Sequence, residues 1–184
     1  MPSSRPNGGD AGNLIRIEVN MNMTVLDRPA IRGRGSVAGR MHSTPSKHWG
    51  RREEDRQFAT MRNAYARTGG LLHADAMTRL MRRHHERPLP MLARWIISRE
   101  VVSMSYGGQT LIPLFQFEMP SVTPHPNLLP VLQELRPAFD EWELATWFAS
   151  ESEWLGGHAP VDVFATCLPC VLEAARADRF IAKG

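Results

Sequence analysis

Apolar residues first recur at helical spacing at Phe58. Phe58, Met61 and Tyr65 fall on one stripe, which Gly69-Gly70 ends. A second helix is predicted from about Ala74, with Met77, Leu80 and Met81 on its apolar side and Arg79, Arg82 and Arg83 on or beside the other face. The polar run His84-His85-Glu86-Arg87 breaks the pattern, and Pro90 stands where a third helix begins. Leu92, Trp95 and Ile96 form its buried stripe, while Met91, Arg94 and Ser98 share another face at i, i+3, i+7 spacing. The period then changes to alternation. Val102, Met104 and Tyr106 alternate with serines, Gly107-Gly108 supplies a two-residue turn, and Gln109-Thr110-Leu111-Ile112 returns. Leu114-Phe115-Gln116-Phe117 continues as an extended segment. Two helices followed by a hairpin give the plan of a small winged helix-turn-helix over residues 56–118.

Beyond it, the proline-rich stretch 119–127 is predicted to be a linker. The helical period resumes at Leu128, Leu132 and Leu135. Asp140 and Glu143 have the spacing of a capping box, opening a helix that carries Trp142, Leu144, Ala145, Trp147 and Phe148. A short helix is predicted near Pro160 and a last one from about Pro169 to Ile181. Residues 128–184 are therefore expected to form a compact helical domain that folds alone. Residues 1–55 are rich in Gly, Pro, Ser, Asn and Arg, with one β-like run at Leu14–Val19, and are expected to be a disordered basic arm. The fold class is thus mainly α, with a β-hairpin.

Charge sharpens this division. Residues 1–100 hold 18 Lys and Arg against 9 Asp and Glu, whereas residues 101–184 hold 4 against 10. The net charge of +3 hides a strong asymmetry: a basic front that can collect phosphates and an acidic back that can dock a basic protein. In the helix-turn-helix arrangement, Arg94 and Ser98, with Met91 on the same face, are expected at base edges. Arg79, Arg82, Arg83 and Arg99 are expected at the phosphate backbone. No apolar run reaches bilayer length and the N-terminus lacks a signal-peptide core, so a cytoplasmic location without membrane contact is expected.

Catalytic and metal chemistry find little support. Cys167-Leu168-Pro169-Cys170 has redox or zinc spacing, but no second pair exists, and the two cysteines are expected to be reduced and inert. His84-His85 lacks an i, i+4 partner, and Asp140, Glu141 and Glu143 are explained by a solvated helix start. No phosphate loop or serine elbow appears. The chain is expected to be no enzyme and to need no metal or other cofactor.

Two segments carry a family resemblance. Trp154-Leu155-Gly156-Gly157-His158-Ala159-Pro160-Val161-Asp162, followed by Val171-Leu172-Glu173-Ala174-Ala175-Arg176-Ala177-Asp178, closely resembles the C-terminal toxin-binding domain of the Xre/MbcA/ParS antitoxin family. The stretch from Trp95 through Gly107-Gly108 to Ile112-Pro113-Leu114-Phe115-Gln116-Phe117 is similar to the segment preceding that module in the same group. Together they cover about residues 71–182. The two cysteines depart from the family, where an acidic or polar helix start is expected.

The resemblance implies an antitoxin of a bacterial type II toxin–antitoxin system. Its C-terminal helices would occlude a cognate toxin, often a RES-domain enzyme that consumes NAD. Its N-terminal half would bind operator DNA as a homodimer. On that analogy Arg176, Arg179, Phe180, Ile181 and Lys183 are the candidate toxin contacts, while Trp154, Gly156, Gly157, Pro160 and Asp162 shape the module. The alternatives are an orphan DNA-binding regulator and a small metal or thiol protein centred on Cys167 and Cys170.

Overall fold

Helix α1 runs from Ser46 to Ala66 in the computed structural model, which describes residues 46–183, with side chains from residue 51. The helix begins ten residues before the expected end of the basic arm. The Leu14–Val19 run and the rest of residues 1–45 lie outside the described residues. Residues 51–57 carry no apolar stripe, and polar contacts hold them instead. Arg56 pairs with Glu53 at 2.8 Å, the Tyr106 hydroxyl donates to Asp55 at 2.8 Å, and the Trp142 indole donates to Gln57 at 3.2 Å. From Phe58 onward the stripe behaves as predicted: Met61 and Tyr65 are buried, and the Phe58 ring stacks on Tyr106 at 3.7 Å.

The helix ends where the glycines fall. The backbone N–H groups of Thr68 and Gly70 both donate to the Tyr65 carbonyl. Gly69 has φ +100°, and a Cβ there would lie 2.9 Å from the Leu114 Cβ, so only glycine fits. The chain then continues as β1 (Leu71–His73), α2 (Ala74–Met81), α3 (Pro88–Ile97), β2 (Met104–Tyr106) and β3 (Gln109–Pro113). The strands form an antiparallel sheet in the order β1-β3-β2, with Leu72 opposite Ile112 and Met104 opposite Leu111. Gly107 and Gly108 both have positive φ, as a tight turn of the primed type requires.

The segment after β3 is not extended, as the alternation suggested. Leu114–Gln116 forms a 3-10 turn that separates two aromatic side chains. Phe115 enters one core, its centroid 5.0 Å from that of Phe148 and 5.4 Å from that of Phe164. Phe117 enters another beside Trp95, at 6.1 Å. Between them Gln116 is fully buried and saturated: its Oε1 accepts from Val102 N at 2.6 Å, and its Nε2 donates to the carbonyls of Val102 and Pro113. A buried amide is tolerated only when paired in this way, so this latch pins the segment after the hairpin to Val102, just before β2.

The expected linker is built into the fold. Strands β4 (Phe117–Glu118) and β5 (Thr123–Pro124) pair antiparallel, and Val122 is buried with Met77, Met81, Leu92, Trp95, Val101, Ile112 and Phe117. Ser121 O lies 2.8 Å from His85 Nε2, so the predicted polar break at His84-His85 is partly an anchor. Helices α4 (Leu128–Leu135), α5 (Glu141–Ala149), α6 (Pro160–Val163) and α7 (Leu168–Lys183) follow, with a 3-10 turn at Glu153–Leu155. The capping box of α5 forms as predicted, with Glu143 N donating to Asp140 Oδ1 at 2.8 Å and Asp140 N to Glu143 Oε2 at 2.7 Å. At Gly156 the chain turns left-handed with φ +64°, and Pro160 opens α6.

The division at 119–127 does not separate two independently packed bodies. One core joins Met61 and Tyr65 of α1, Val102, Met104 and Leu111 of the hairpin, and Leu128, Leu132, Phe148, Phe164 and Val171 of the C-terminal helices. The Tyr65 hydroxyl donates to the Ala145 carbonyl at 2.7 Å in that core. The described residues accordingly lie in one compact unit. Residues 128–184 therefore share their core with α1 and the hairpin instead of packing as a separate body. The molecule is mainly helical with a small sheet.

Candidate functional site

The arginine-bearing surface is set by the second core. Met77 and Met81 point inward from α2, and Leu92 and Trp95 from α3, so helical geometry turns the intervening positions to solvent. Arg79, Arg82, Arg83 and Arg94 are all exposed, as is Ser98, which caps the C-terminus of α3. Leu89 and Ile97 on α3 are also exposed, Ile97 to 82%. Met91 is different: it is half-buried and packs against the second core instead of sharing the outward face of Arg94 and Ser98. A groove of about 870 Å³ runs between α2 and the start of α3, edged by Arg79, Arg82 and Arg87. Asp75 and Glu86 line the same groove, so its charge is mixed and the clearer basic surface is Arg83 and Arg94.

Arg99 does not belong to this face. It takes the left-handed position that ends α3, with φ +51°. Arg99 N donates to Ile96 O and Glu100 N to Trp95 O, the paired closure of a Schellman motif. This turn swings the guanidinium towards the end of α4, where it donates to the carbonyls of Phe139 at 2.7 Å and Arg136 at 3.4 Å. These acceptors follow the last helical turn and would otherwise lack partners. Burial, reinforced by the neighbouring Arg99 charge, pulls the Arg136 guanidinium below its ordinary value. Arg99 is thus a clasp between the two halves, correcting its expected place at phosphate.

On α7 the five expected toxin contacts divide by environment. Arg176 donates to Glu134 at 3.1 Å and to Glu173 at 2.7 Å, and Arg179 pairs with the same Glu134 carboxylate. The Glu134 bond, with that of Glu173, raises the Arg176 guanidinium above its usual value. Both arginines therefore tie α7 to α4 within the chain. Phe180 and Ile181 point outward, 81% and 65% exposed, and Lys183 is exposed at the end of the helix.

Beside Ile181 lies a feature with no local sequence signal. Asp178 accepts from the Trp147 indole at 2.7 Å and from the Trp154 indole at 3.0 Å. Trp154, expected only to shape the module, remains 59% exposed. Trp147, Trp154, Asp178 and Ile181 line a shallow groove of about 310 Å³. The result is a partly apolar rim made of residues far apart in sequence. Asp162 has a structural partner, pairing with Arg67 of the segment after α1 at 2.9 Å.

Cys167 and Cys170 are joined by a disulfide, with Cα atoms 5.3 Å apart, where two reduced thiols were expected. Among the described residues, no group of three or more His, Cys, Asp and Glu side chains is placed to hold a metal, and no helix is long and apolar enough to cross a membrane. Compared with models of known families, with curated proteins and with solved structures, the chain matches none.

Proposed function

We propose that this chain is an antitoxin that represses its own operon by binding operator DNA and neutralises a cognate toxin by covering its active-site cleft. The observation that carries the DNA-binding part is the outward set Arg79 on α2, Arg82 and Arg83 in the turn that follows it, and Arg94 on α3, on the segment that precedes a β-hairpin. The order α1-β1-α2-α3-β2-β3 with its β1-β3-β2 sheet supports assigning α3 to the major groove and the Gly107-Gly108 hairpin to the wing. Arg94 and Ser98 then meet base edges, and Arg79, Arg82 and Arg83 meet phosphates. A homodimer would read two half-sites.

The toxin-binding part rests on the outward Phe180 and Ile181 beside the tryptophan groove, within an acidic half of the chain. An exposed apolar patch rimmed by charge suits burial against a basic protein. The family resemblance suggests a RES-domain, NAD-consuming toxin. Inhibition would be steric and would require no catalysis or cofactor from this chain.

Binding to the DNA upstream of its own reading frame tests the first part. Arg83→Ala should lower the slope of log K against log salt by about 0.9, the loss of one phosphate contact. Arg94→Ala should reduce discrimination against mismatched sites by about 1–3 kcal/mol. Unchanged affinity, slope and selectivity in both variants would refute the assignment.

A further inference from the structure

The Cys167–Cys170 turn belongs to neither face. The Cys167 carbonyl accepts from Val171 N at 3.2 Å, so Cys167 caps the 16-residue helix α7, and Cys170 lies in its first turn. Pro169 has no N–H, and the N–H groups of Leu168 and Cys170 make none of the main-chain bonds that close this turn. Both therefore remain available as donors at the positive end of the helix dipole. Cys170 is exposed, whereas Cys167 is half-buried. The exposed neighbours Ala165, Thr166 and Pro169 are uncharged, and the exposed Glu173 one turn further on is paired with Arg176, which leaves Cys170 open to an approaching thiolate.

We infer that Cys167 and Cys170 form a reversible dithiol–disulfide site that exchanges with an external thiol, a small thiol such as glutathione or a protein dithiol. An external thiolate attacks the exposed Cys170 Sγ. A new S–S bond forms there as the Cys167–Cys170 bond breaks, and the electron pair passes to Cys167 Sγ. Cys167 leaves as a thiolate at the helix N-terminus, where the dipole and the free N–H groups favour negative charge. A better-stabilised leaving sulfur departs faster, which fixes the polarity of the exchange. A second external thiolate then attacks the external sulfur of the mixed disulfide and releases Cys170 as a thiolate. Two external thiols become one disulfide, the cysteine pair gains two electrons, and solvent supplies protons to whichever thiolates take them up. The cap of α7 is a main-chain bond, so the helix persists in both states.

The test uses the full chain and needs neither DNA nor toxin, so it succeeds or fails independently of the proposed function. The oxidised protein is treated with reduced glutathione, quenched with acid and mapped by peptide mass, and the reduced protein is equilibrated in mixtures of reduced and oxidised dithiothreitol. The expected result is interconversion in both directions with unchanged far-UV circular dichroism. Glutathione should appear on Cys170 at least about tenfold more than on Cys167. Cys167→Ser, which has no disulfide of its own, should take up glutathione on Cys170 from oxidised glutathione, releasing the second glutathione as a thiolate, and should retain that adduct because no internal thiol remains to displace it. A disulfide that opens only when the protein unfolds, a dithiol that does not re-form, or an adduct mainly on Cys167 would overturn the inference. So would zinc that copurifies with the reduced chain and is lost in both single Cys→Ser variants.

Discussion

Replacing Tyr65 by Phe removes one oxygen from the contact that binds α1 to α5. The hydroxyl is completely buried and donates to the Ala145 carbonyl at 2.7 Å, while the ring stays among Met61, Phe115 and the C-terminal helices. Ring packing is retained in the variant, so the loss is confined to a buried hydrogen bond and the incompletely paired acceptor it leaves. That loss should be about 1–2 kcal/mol, or roughly 3–6 °C in Tm for a chain of this size. Burial also pushes the Tyr65 phenol well above its ordinary range. The unfolded phenol ionises near pH 10 while the folded one keeps its proton, so this contribution is intact below about pH 10 and falls by about 1.4 kcal/mol per pH unit above it. Urea titrations of the wild type and Tyr65→Phe from pH 7 to 11, followed by circular dichroism and tryptophan fluorescence, measure both effects. The stability gap should be constant at neutral pH and narrow as alkalinity rises, and both probes should report one transition. Two separated transitions, or a neutral substitution at pH 7, would refute the shared core.

Three further substitutions test other parts of the fold. Arg99→Asn keeps a residue tolerated at left-handed φ but removes the clasp on α4; it should cost about 1–3 kcal/mol in chemical denaturation and leave the salt slope of DNA binding unchanged. Asp178→Ala strips the acceptor from two indoles and should shift tryptophan emission and lower stability by about 1–3 kcal/mol, whereas unchanged emission would refute the double contact. Gly69→Ala should destabilise by more than about 1 kcal/mol and by more than Gly70→Ala, because only the former adds a backbone-proximal clash, with Leu114, to positive-φ strain; thermal melts of the two variants decide this.

The parts legible in sequence were those fixed by local rules. Met77, Met81, Leu92 and Trp95 announced their burial by spacing, Gly107-Gly108 announced the turn, and Asp140 with Glu143 announced the cap. Arg79 and Arg94 are exposed because their helical neighbours are inward, which the same periodicity supplies, whereas Arg83 is exposed in the turn after α2. Long-range polar contacts had no such signature. The start of α1 is held by Tyr106 and Trp142, which lie 51 and 85 residues away from their partners. Arg99 looked like one more basic residue after a helix until its left-handed backbone turned it onto α4. Alternation around Phe115 and Phe117 suggested a strand, because period alone does not distinguish a strand from a turn that feeds two cores. Asp178 gathers indoles 24 and 31 residues away, and one acidic residue on an amphipathic helix carries no hint of them.

Co-expression of the full chain with the product of the adjacent reading frame measures the proposed function most directly. The wild type should restore growth and copurify with that product. A folded Phe180→Asp, Ile181→Asp double variant should lose both properties while still binding operator DNA. Full rescue by that variant, or no association with the wild type, would contradict the proposal that the end of α7 covers a toxin.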